Sequence, residues 1–182
     1  SCLTSIWETD ETIQKYYQNI GRPEDYKELK PQNGAYYDSV VKIDLSQVEC
    51  MIALPFHPSI AYTVHELQAN PEKIFAEVEA AANKQLGGKV TMDLRRSIVD
   101  GKVTCDQGVI VGCSGGMYEN IVEAAHILDG QSIGNGYFDM SVYPSSTPIS
   151  LAITKNGAAA KLMEAGCVMK PAFCGPCFGA GD

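Results

Sequence analysis

The chain has 182 residues, of which 45% are hydrophobic and 20% are charged, and its formal net charge is −8 at pH 7. This is the composition of an ordinary globular protein that is long enough to bury a real core. The acidic balance and the absence of any basic run exclude nucleic acid and anionic membrane surfaces as expected partners. No apolar stretch of the sequence is long enough to span a bilayer, and no secretory signal pattern is present.

The first half of the chain predicts two helices and two strands, joined by polar connections. They are a helix over Glu11–Ile20, a solvated connector over residues 22–33, a half-buried strand over Tyr36–Leu45, a short strand over Met51–Leu54 and a helix from Asn70 to Gly87. Thr9 or Asp10 can cap the first helix, and Gly21 can end it. We expect Trp7 to pack beside this helix. Val41 and Ile43 alternate with polar residues, which favours a strand.

The second half of the chain alternates between strands and helices. The strands are expected over Val109–Gly112, Met140–Tyr143 and Cys167–Met169, and the helices over Gly116–Asp129, from Ser146 to Asn156 and over Ala158–Glu164. This order predicts an α/β fold with three layers, α/β/α, around a mostly parallel sheet. We expect residues 1–34 to form an N-terminal helix and connector, and residues 35–182 to form one α/β domain.

Cysteine usage indicates a reducing compartment. The chain has seven cysteines, an odd number, at Cys2, Cys50, Cys105, Cys113, Cys167, Cys174 and Cys177. They are scattered through a chain with good core content, which does not favour a disulfide scaffold. We therefore expect a cytoplasmic protein. Because the sequence stops in a glycine-rich stretch just after its last two cysteines, we also expect it to be a fragment of a longer enzyme.

Three of the cysteines stand where a ligand is expected to bind. Cys113 follows an apolar strand, and Cys174 and Cys177 lie two residues apart on a tight Gly-Pro turn after another. The carboxyl ends of strands in an open α/β sheet form the edge where ligands bind. Three thiolates suit a soft metal centre. A four-iron, four-sulfur cluster normally takes four cysteines, so three would leave one iron open as a Lewis acid.

Four motifs along the chain carry a family resemblance. They are Ile43-Asp44-Leu45-Ser46 with Pro55-Phe56-His57-Pro58, then Val111-Gly112-Cys113-Ser114-Gly115, then Tyr143-Pro144-Ser145-Ser146, and last Cys174-Gly175-Pro176-Cys177-Phe178-Gly179. In order and spacing they resemble the third, cluster-ligating domain of aconitase-type hydratases, which include homoaconitase and isopropylmalate isomerase. Two departures leave the substrate open: Ser114-Gly115 stands where the family has Thr-Asn, and Ser145 replaces a glycine.

The resemblance implies a cofactor, a reaction and partners. Carried over by position, Cys113, Cys174 and Cys177 would bind a 4Fe-4S cluster, which we expect to be lost on aerobic handling. The parent would be a hydro-lyase that dehydrates and rehydrates a hydroxy di- or tricarboxylic acid. In the family the base serine and the carboxylate-binding arginines lie outside this region, so we expect this piece alone to be inactive. Its partners would be the small-molecule substrate and the remaining domains of the enzyme.

Other interpretations of the same residues stay open. Cys-Gly-Pro-Cys is also a thioredoxin-type redox motif, which needs its first cysteine at a helix N-terminus. A structural zinc site would need four ligands, for example the three cysteines and a histidine. Ser114 is most simply a helix N-cap, with donation to a cluster or substrate as the alternative. His57 is the one histidine expected in a loop, and a substrate-side role is considered for it.

Overall fold

The computed structural model describes residues 3–180. Its helices are α1 (Glu11–Asn19), α2 (Val64–Ala69), α3 (Pro71–Leu86), α4 (Gly112–Gly115), α5 (Tyr118–Leu128), α6 (Thr147–Lys155) and α7 (Ala158–Glu164). Its strands are β1 (Met51–Ala53), β2 (Ala61–Thr63), β3 (Ile98–Val99), β4 (Lys102–Val103), β5 (Gln107–Ile110), β6 (Asp139–Val142) and β7 (Val168–Met169). Short 3-10 turns cover Pro23–Asp25, Leu45–Gln47, Arg95–Ser97 and Gly175–Phe178. Within residues 3–180, no helix has both the length and the apolar character needed to cross a membrane.

The chain divides into two compact units. The first comprises residues up to Tyr36 and those from Asp106 onward, and the second is Tyr37–Cys105. Each unit has a hydrophobic cluster of its own. The first cluster includes Ile121, Val142 and Ile149, and the second includes Leu67 and Phe75. Each unit therefore buries its own apolar side chains.

The first unit is built around a parallel sheet in the order β5–β6–β7. The central strand β6 provides the most buried position, because Val142 is fully enclosed while β5 and β7 stay partly exposed. Helices α5, α6 and α7 contact one another, and α7 also contacts β7. The predicted α/β class with a parallel sheet is confirmed. All three strands end at the same edge of this sheet, since parallel strands share one direction.

The N-terminal helix follows its sequence signals closely. The Asp10 carboxylate accepts a hydrogen bond from the Ile13 N–H at 3.0 Å, as expected of an N-cap. Tyr16 and Ile20 pack against the core of the first unit. The prediction for Trp7 is wrong, because its side chain is 79% exposed. Its indole N–H donates to the hydroxyl of the nearby Ser5.

The second unit contains two short antiparallel hairpins, β1–β2 and β3–β4, together with α2 and α3. Helix α2 was missed from the sequence although it carries a complete capping box: Thr63 accepts from the Glu66 N–H, and Glu66 accepts from the Thr63 N–H. Pro71 opens α3 as predicted, but Asn70 makes no side-chain cap. Its backbone N–H instead closes the preceding helix on the Glu66 carbonyl.

Buried Glu79 on α3 organises the loop that follows this helix. Its carboxylate accepts hydrogen bonds from the backbone N–H of Leu94 at 2.6 Å and of Arg95 at 2.8 Å, and from the Arg95 guanidinium at 2.8 Å. Burial raises the pKa of Glu79, but these donors outweigh it and hold the pKa below its ordinary value. The loop is therefore tied to α3 by a charged group inside the unit.

The predicted half-buried strand over Tyr36–Leu45 is not formed. These residues belong to no helix or strand except for Leu45, which begins a 3-10 turn, and all of them are exposed. Val40 and Val41 are 80% and 84% exposed. The alternating pattern was sound as a strand signal, but a strand also needs a neighbour to accept its backbone hydrogen bonds. None is provided within residues 3–180.

Candidate functional site

Cys113 lies where the chain leaves the sheet at the end of β5. Val111 is still extended, and Gly112 has φ +92°, a left-handed conformation that L side chains rarely adopt. This turn starts the four-residue helix α4 and leaves the Cys113 side chain exposed. The glycine before the cysteine is therefore a geometric requirement of the change from strand to helix.

The loop after β6 is fastened to the Cys113 turn. The backbone N–H of Ser145 donates to the Gly116 carbonyl at 2.8 Å. A Cβ on Gly116 would collide with the Tyr143 carbonyl oxygen and lie 2.8 Å from the Ser145 nitrogen. Because both obstacles are backbone atoms, only glycine lets the two loops approach this closely. Pro144, between them, is fully buried.

Cys174 and Cys177 lie on a tight turn after β7. The Cys177 N–H donates to the Cys174 carbonyl at 3.2 Å, and the Ala180 N–H donates to the Gly175 carbonyl at 2.9 Å. A Cβ on Gly175 would collide with the Phe173 ring and the Ala180 carbonyl oxygen. Both thiols are free and exposed. The Gly-Pro sequence thus folds the chain back on itself and presents both thiols outward.

One small pocket joins these loops at the carboxyl edge of the sheet. Its volume is about 210 Å³, and it is lined by Gly112, Cys113, Pro144, Ser145, Ala172, Phe173 and Cys174. Cys177 stands beside it, since a Cβ built on Gly112 would lie 3.1 Å from the Cys177 Sγ. The structure therefore brings the three sequence-predicted cysteines together around one pocket, from loops that are far apart in the sequence.

The side chains that line the pocket are apolar or sulfur-bearing except for the Ser145 hydroxyl, and none of them is an acidic or basic residue. The Lys170 ammonium lies 6.0 Å from the centre of the Tyr143 ring, near the ends of β7 and β6. Arg22 is paired with Asp25, and Arg95 is held by buried Glu79, so neither guanidinium lines the pocket. The described lining residues therefore include no arginine that could bind a substrate carboxylate.

Cys167 differs from the cysteines at the pocket. It lies just before β7 and packs in the core of the first unit with 5% exposure. Burial raises the pKa of its thiol above the ordinary value. Cys50 and Cys105 are free and exposed and lie in the second unit. Cys2 lies outside the described residues.

Ser114 and His57, the two substrate-side candidates, have different surroundings. Ser114 is exposed within α4, next to Cys113, and it is not an N-cap: the cap of α4 is Val111 and that of α5 is Met117. The prediction of a cap is wrong because the helix breaks into two pieces here. His57 belongs to the second unit, where its Nδ1 accepts from the Ser59 N–H at 3.2 Å.

Two competing interpretations of the cysteines find little support in this geometry. Cys174 precedes a four-residue 3-10 turn rather than an α-helix, so it lacks the helix N-terminus that activates a thioredoxin-type thiol. Among residues 3–180, no three His, Cys, Asp or Glu side chains are grouped so that they could hold a metal ion between them. A preformed zinc site is therefore not present in the described part of the chain.

Phe173 is a pocket residue that the sequence did not single out. Its ring lines the pocket and meets the Phe178 ring edge-on, with 6.3 Å between the ring centres. Both rings are more than half exposed. The available signal was their position directly beside the Cys-x-x-Cys pair, since exposed aromatic residues next to reactive groups often contact ligands or partners.

A thiol-rimmed pocket at the carboxyl edge of a parallel sheet is the arrangement of an α/β protein that binds its ligand or cofactor at strand ends. The profile of the aconitase family (aconitate hydratase) matches residues 1–182. The chain therefore belongs to the aconitase family.

Curated relatives agree with this assignment. The 3-isopropylmalate dehydratase large subunit of Caldicellulosiruptor saccharolyticus is 29% identical over 175 residues, which are 96% of this chain and 33% of that protein. The 2,3-dimethylmalate dehydratase large subunit of Eubacterium barkeri is 28% identical over 174 residues, again 96% and 33%. A 3-isopropylmalate dehydratase large subunit of Pyrococcus furiosus is 26% identical over 176 residues, 97% and 34%. The chain spans about a third of the length of these relatives.

Proposed function

We propose that this chain is the cluster-bearing part of a longer hydro-lyase that dehydrates and rehydrates a hydroxy di- or tricarboxylic acid. The observation that carries the proposal is the meeting of Cys113, Cys174 and Cys177 around one pocket in a member of the aconitase family. Relatives named as isopropylmalate and dimethylmalate dehydratases support this reaction class.

The three thiols suit a 4Fe-4S cluster better than a single ion. In such a cluster each thiolate binds a different iron, so the sulfur atoms stand farther apart than the ligands of one metal. We therefore expect the three sulfur atoms to stand farther apart than the ligands of a single ion would. All three are free, and exposed. When bound, the cluster would supply an iron without a protein ligand, which acts as a Lewis acid toward a substrate hydroxyl.

The chain's own residues would hold and shape the site. The glycines at 112, 116 and 175 permit the close approaches between and within the loops that carry the three thiols. Phe173 and buried Pro144 provide apolar lining for the site. Proton abstraction and carboxylate binding need a base and arginines that we assign to the rest of the enzyme.

Ser114 and His57 stay predictions as substrate-side residues. Ser114 is exposed and adjacent in sequence to Cys113, so its hydroxyl can donate to a ligand at this edge. The ring nitrogen Nε2 of His57 remains for another partner, because the backbone N–H of Ser59 donates to Nδ1. We place Ser114 before His57, since only Ser114 belongs to the unit that holds the pocket.

We propose three partners for the working enzyme. They are the hydroxy-carboxylate substrate, the remaining domains of the same polypeptide, and a second, smaller subunit. The relatives' description as large subunits supports the last of these. Cytoplasmic localisation also stays our proposal, because cluster-binding thiols must be kept reduced.

Anaerobic reconstitution of the full-length enzyme with iron and sulfide tests the proposal. We expect an iron–sulfur absorption spectrum with about four irons per polypeptide. Cys174→Ser should lower the iron content and abolish hydratase activity, whereas Cys105→Ser should change neither, since exposed Cys105 is not among the residues that line the pocket. Stoichiometric zinc bound by four protein ligands, or full iron content in the Cys174→Ser protein, would contradict the proposal.

A further inference from the structure

The segment Tyr37–Val48 exposes more apolar surface than is normal for a complete folded protein. We call these residues the apolar segment. Its large hydrophobic side chains are all more than half exposed; they are Tyr37, Val40, Val41, Ile43, Leu45 and Val48. Single exposed apolar residues are ordinary, but a contiguous run of them marks a surface that another element covers.

From Val41 to Leu45, the side chains of the apolar segment alternate as those of a half-buried strand do. In an extended chain, Val41, Ile43 and Leu45 would share one face, and Lys42 and Asp44 would share the other. This is the pattern of a strand that packs one face on a core and turns the other to water. The sequence is therefore suited to a strand even though the described residues do not form one.

The backbone of the apolar segment also lacks partners. Within residues 3–180, no N–H or C=O group of Tyr37–Ile43 makes a backbone hydrogen bond. A row of such groups is what a neighbouring strand binds by β-augmentation. The segment leads into β1, whose three residues are exposed and which pairs only with β2, so the adjoining hairpin has an open edge too. Two-stranded hairpins are marginal by themselves.

We infer that the apolar segment forms a β-strand by pairing with a strand from the part of the longer polypeptide that lies outside residues 1–182. This rests on the proposal that the chain belongs to a longer protein, and not on the cluster or the reaction. The relatives are about three times as long as the matched region, which leaves ample chain to provide such a strand. The apolar face of the segment would then be buried against the part of the polypeptide that provides the pairing strand.

Charge favours this occupant over a second copy of the chain. Around the apolar segment, Asp38, Asp44 and Glu49 stand against the single basic residue Lys42. Pairing two copies would bring together two chains that each carry a formal charge of −8. A net charge far from zero favours the monomeric state through repulsion. A strand from elsewhere in the polypeptide meets no such constraint.

Hydrogen exchange of the full-length protein, measured by mass spectrometry, tests the inference. We expect the amides of Val40–Ile43 to exchange at least about 100-fold more slowly than in an unstructured chain. Ile43→Asn should raise their exchange about 10-fold or more, whereas Lys42→Asn, the same new side chain on the opposite face, should change it by less than about twofold. If I43N does not yield folded protein, Val41→Thr provides a milder change on the same face.

Cross-linking through the Lys42 amine identifies the occupant in the wild-type protein. Cross-links from Lys42 to peptides outside residues 1–182 are expected. Unprotected amides in the wild-type protein would overturn the inference, and so would protection that disappears on dilution to monomers, which would indicate a second copy. Cross-links confined to residues 1–182 would also overturn it. Hydratase activity enters none of these measurements, so failure here and failure of the proposed function are separate results.

Discussion

The Sγ of Cys177 lies against Gly112, the residue that precedes Cys113: a Cβ added to Gly112 would stand 3.1 Å from that sulfur. This contact joins the turn after β7 to the turn after β5, with the Pro144 loop of β6 beside both. The three loops come together because their strands are parallel and end at one edge. Packing of the sheet therefore brings the three cysteine-bearing and proline-bearing loops to one edge.

Gly116→Ala should destabilise the protein by about 1–3 kcal/mol, because the added methyl group meets backbone atoms of Tyr143 and Ser145 that cannot move aside. Gly115→Ala is the matched control, since nothing lies within 4 Å of a Cβ there. It should change the free energy of unfolding by less than about 0.5 kcal/mol. Urea unfolding curves of the two variants provide the comparison, and equal losses would show that the two loops do not need this approach.

The cysteines should separate by their reactivity toward a thiol reagent. In cluster-free protein, exposed Cys113, Cys174 and Cys177 should be modified first, and Cys167 last. Cys167 is buried, and burial raises its pKa, so less reactive thiolate forms at neutral pH. Mass spectrometry of peptides at successive times measures the order. Early labelling of Cys167 would contradict the described core.

Residues 1–182 alone should not dehydrate citrate or isopropylmalate, even after iron and sulfide are supplied. Positioned acid–base catalysis contributes roughly 10²–10⁴-fold, and substrate orientation contributes more. Both contributions would be missing. We assign the base to the rest of the enzyme, and the pocket lining has no basic side chain to orient a substrate carboxylate, since Arg22 and Arg95 are paired with acidic residues. Absorbance assays of the unsaturated product measure this turnover.

The same preparation should also fail to reduce insulin disulfides with dithiothreitol. Cys174 has no helix N-terminus to lower its pKa, as redox activity of a Cys-Gly-Pro-Cys pair requires. Insulin turbidity assays measure this activity. Reductase activity in the fragment, together with inactivity of the full-length enzyme as a hydratase, would refute the proposed function.

Glu79→Gln should lower the free energy of unfolding at neutral pH. It should also make that free energy fall less steeply as the pH is lowered. The pKa of Glu79 is lowered in the folded chain, so the unfolded chain takes up the proton first as the pH falls. The stabilisation by Glu79 is complete above the pKa that this residue has in the unfolded chain. It is lost as the pH falls through the lower pKa of the folded chain, below about pH 4. Unfolding curves between pH 3 and pH 7 (roughly the range of carboxylate titration) measure it. Exposed Glu77→Gln is the control, and an equal effect there would contradict this role.

Local sequence signals predicted most of the first unit correctly. Asp10 caps α1 as expected, the helix expected from Ser146 forms as α6, and the boundaries of Ala158–Glu164 appear as predicted. Each depends on residues within one turn of the element itself, which a sequence displays directly. The cysteines at the sheet edge were also foreseeable, because each follows a strand of a parallel sheet.

What the sequence could not show depends on distant neighbours. Tyr36–Leu45 carries a strand pattern, yet pairing is decided by a second strand that the pattern does not contain. The helix expected from Gly116 breaks at Met117, because Gly116 is held against the loop after β6. Phe173 enters the pocket only once the turn at Gly175 brings it there.

Because β5, β6 and β7 run in the same direction, the edge of the sheet where they begin lies opposite the cysteines and can be used for engineering. The connection into β6 reaches the sheet at the edge opposite the cysteines, and Gly134, Asn135 and Gly136 are exposed there with open space around both glycines. A fluorescent reporter or an affinity tag inserted between Gly134 and Gly136 would be carried at the far end of the strands. It would follow the protein through assembly and handling without touching the thiol-rimmed pocket.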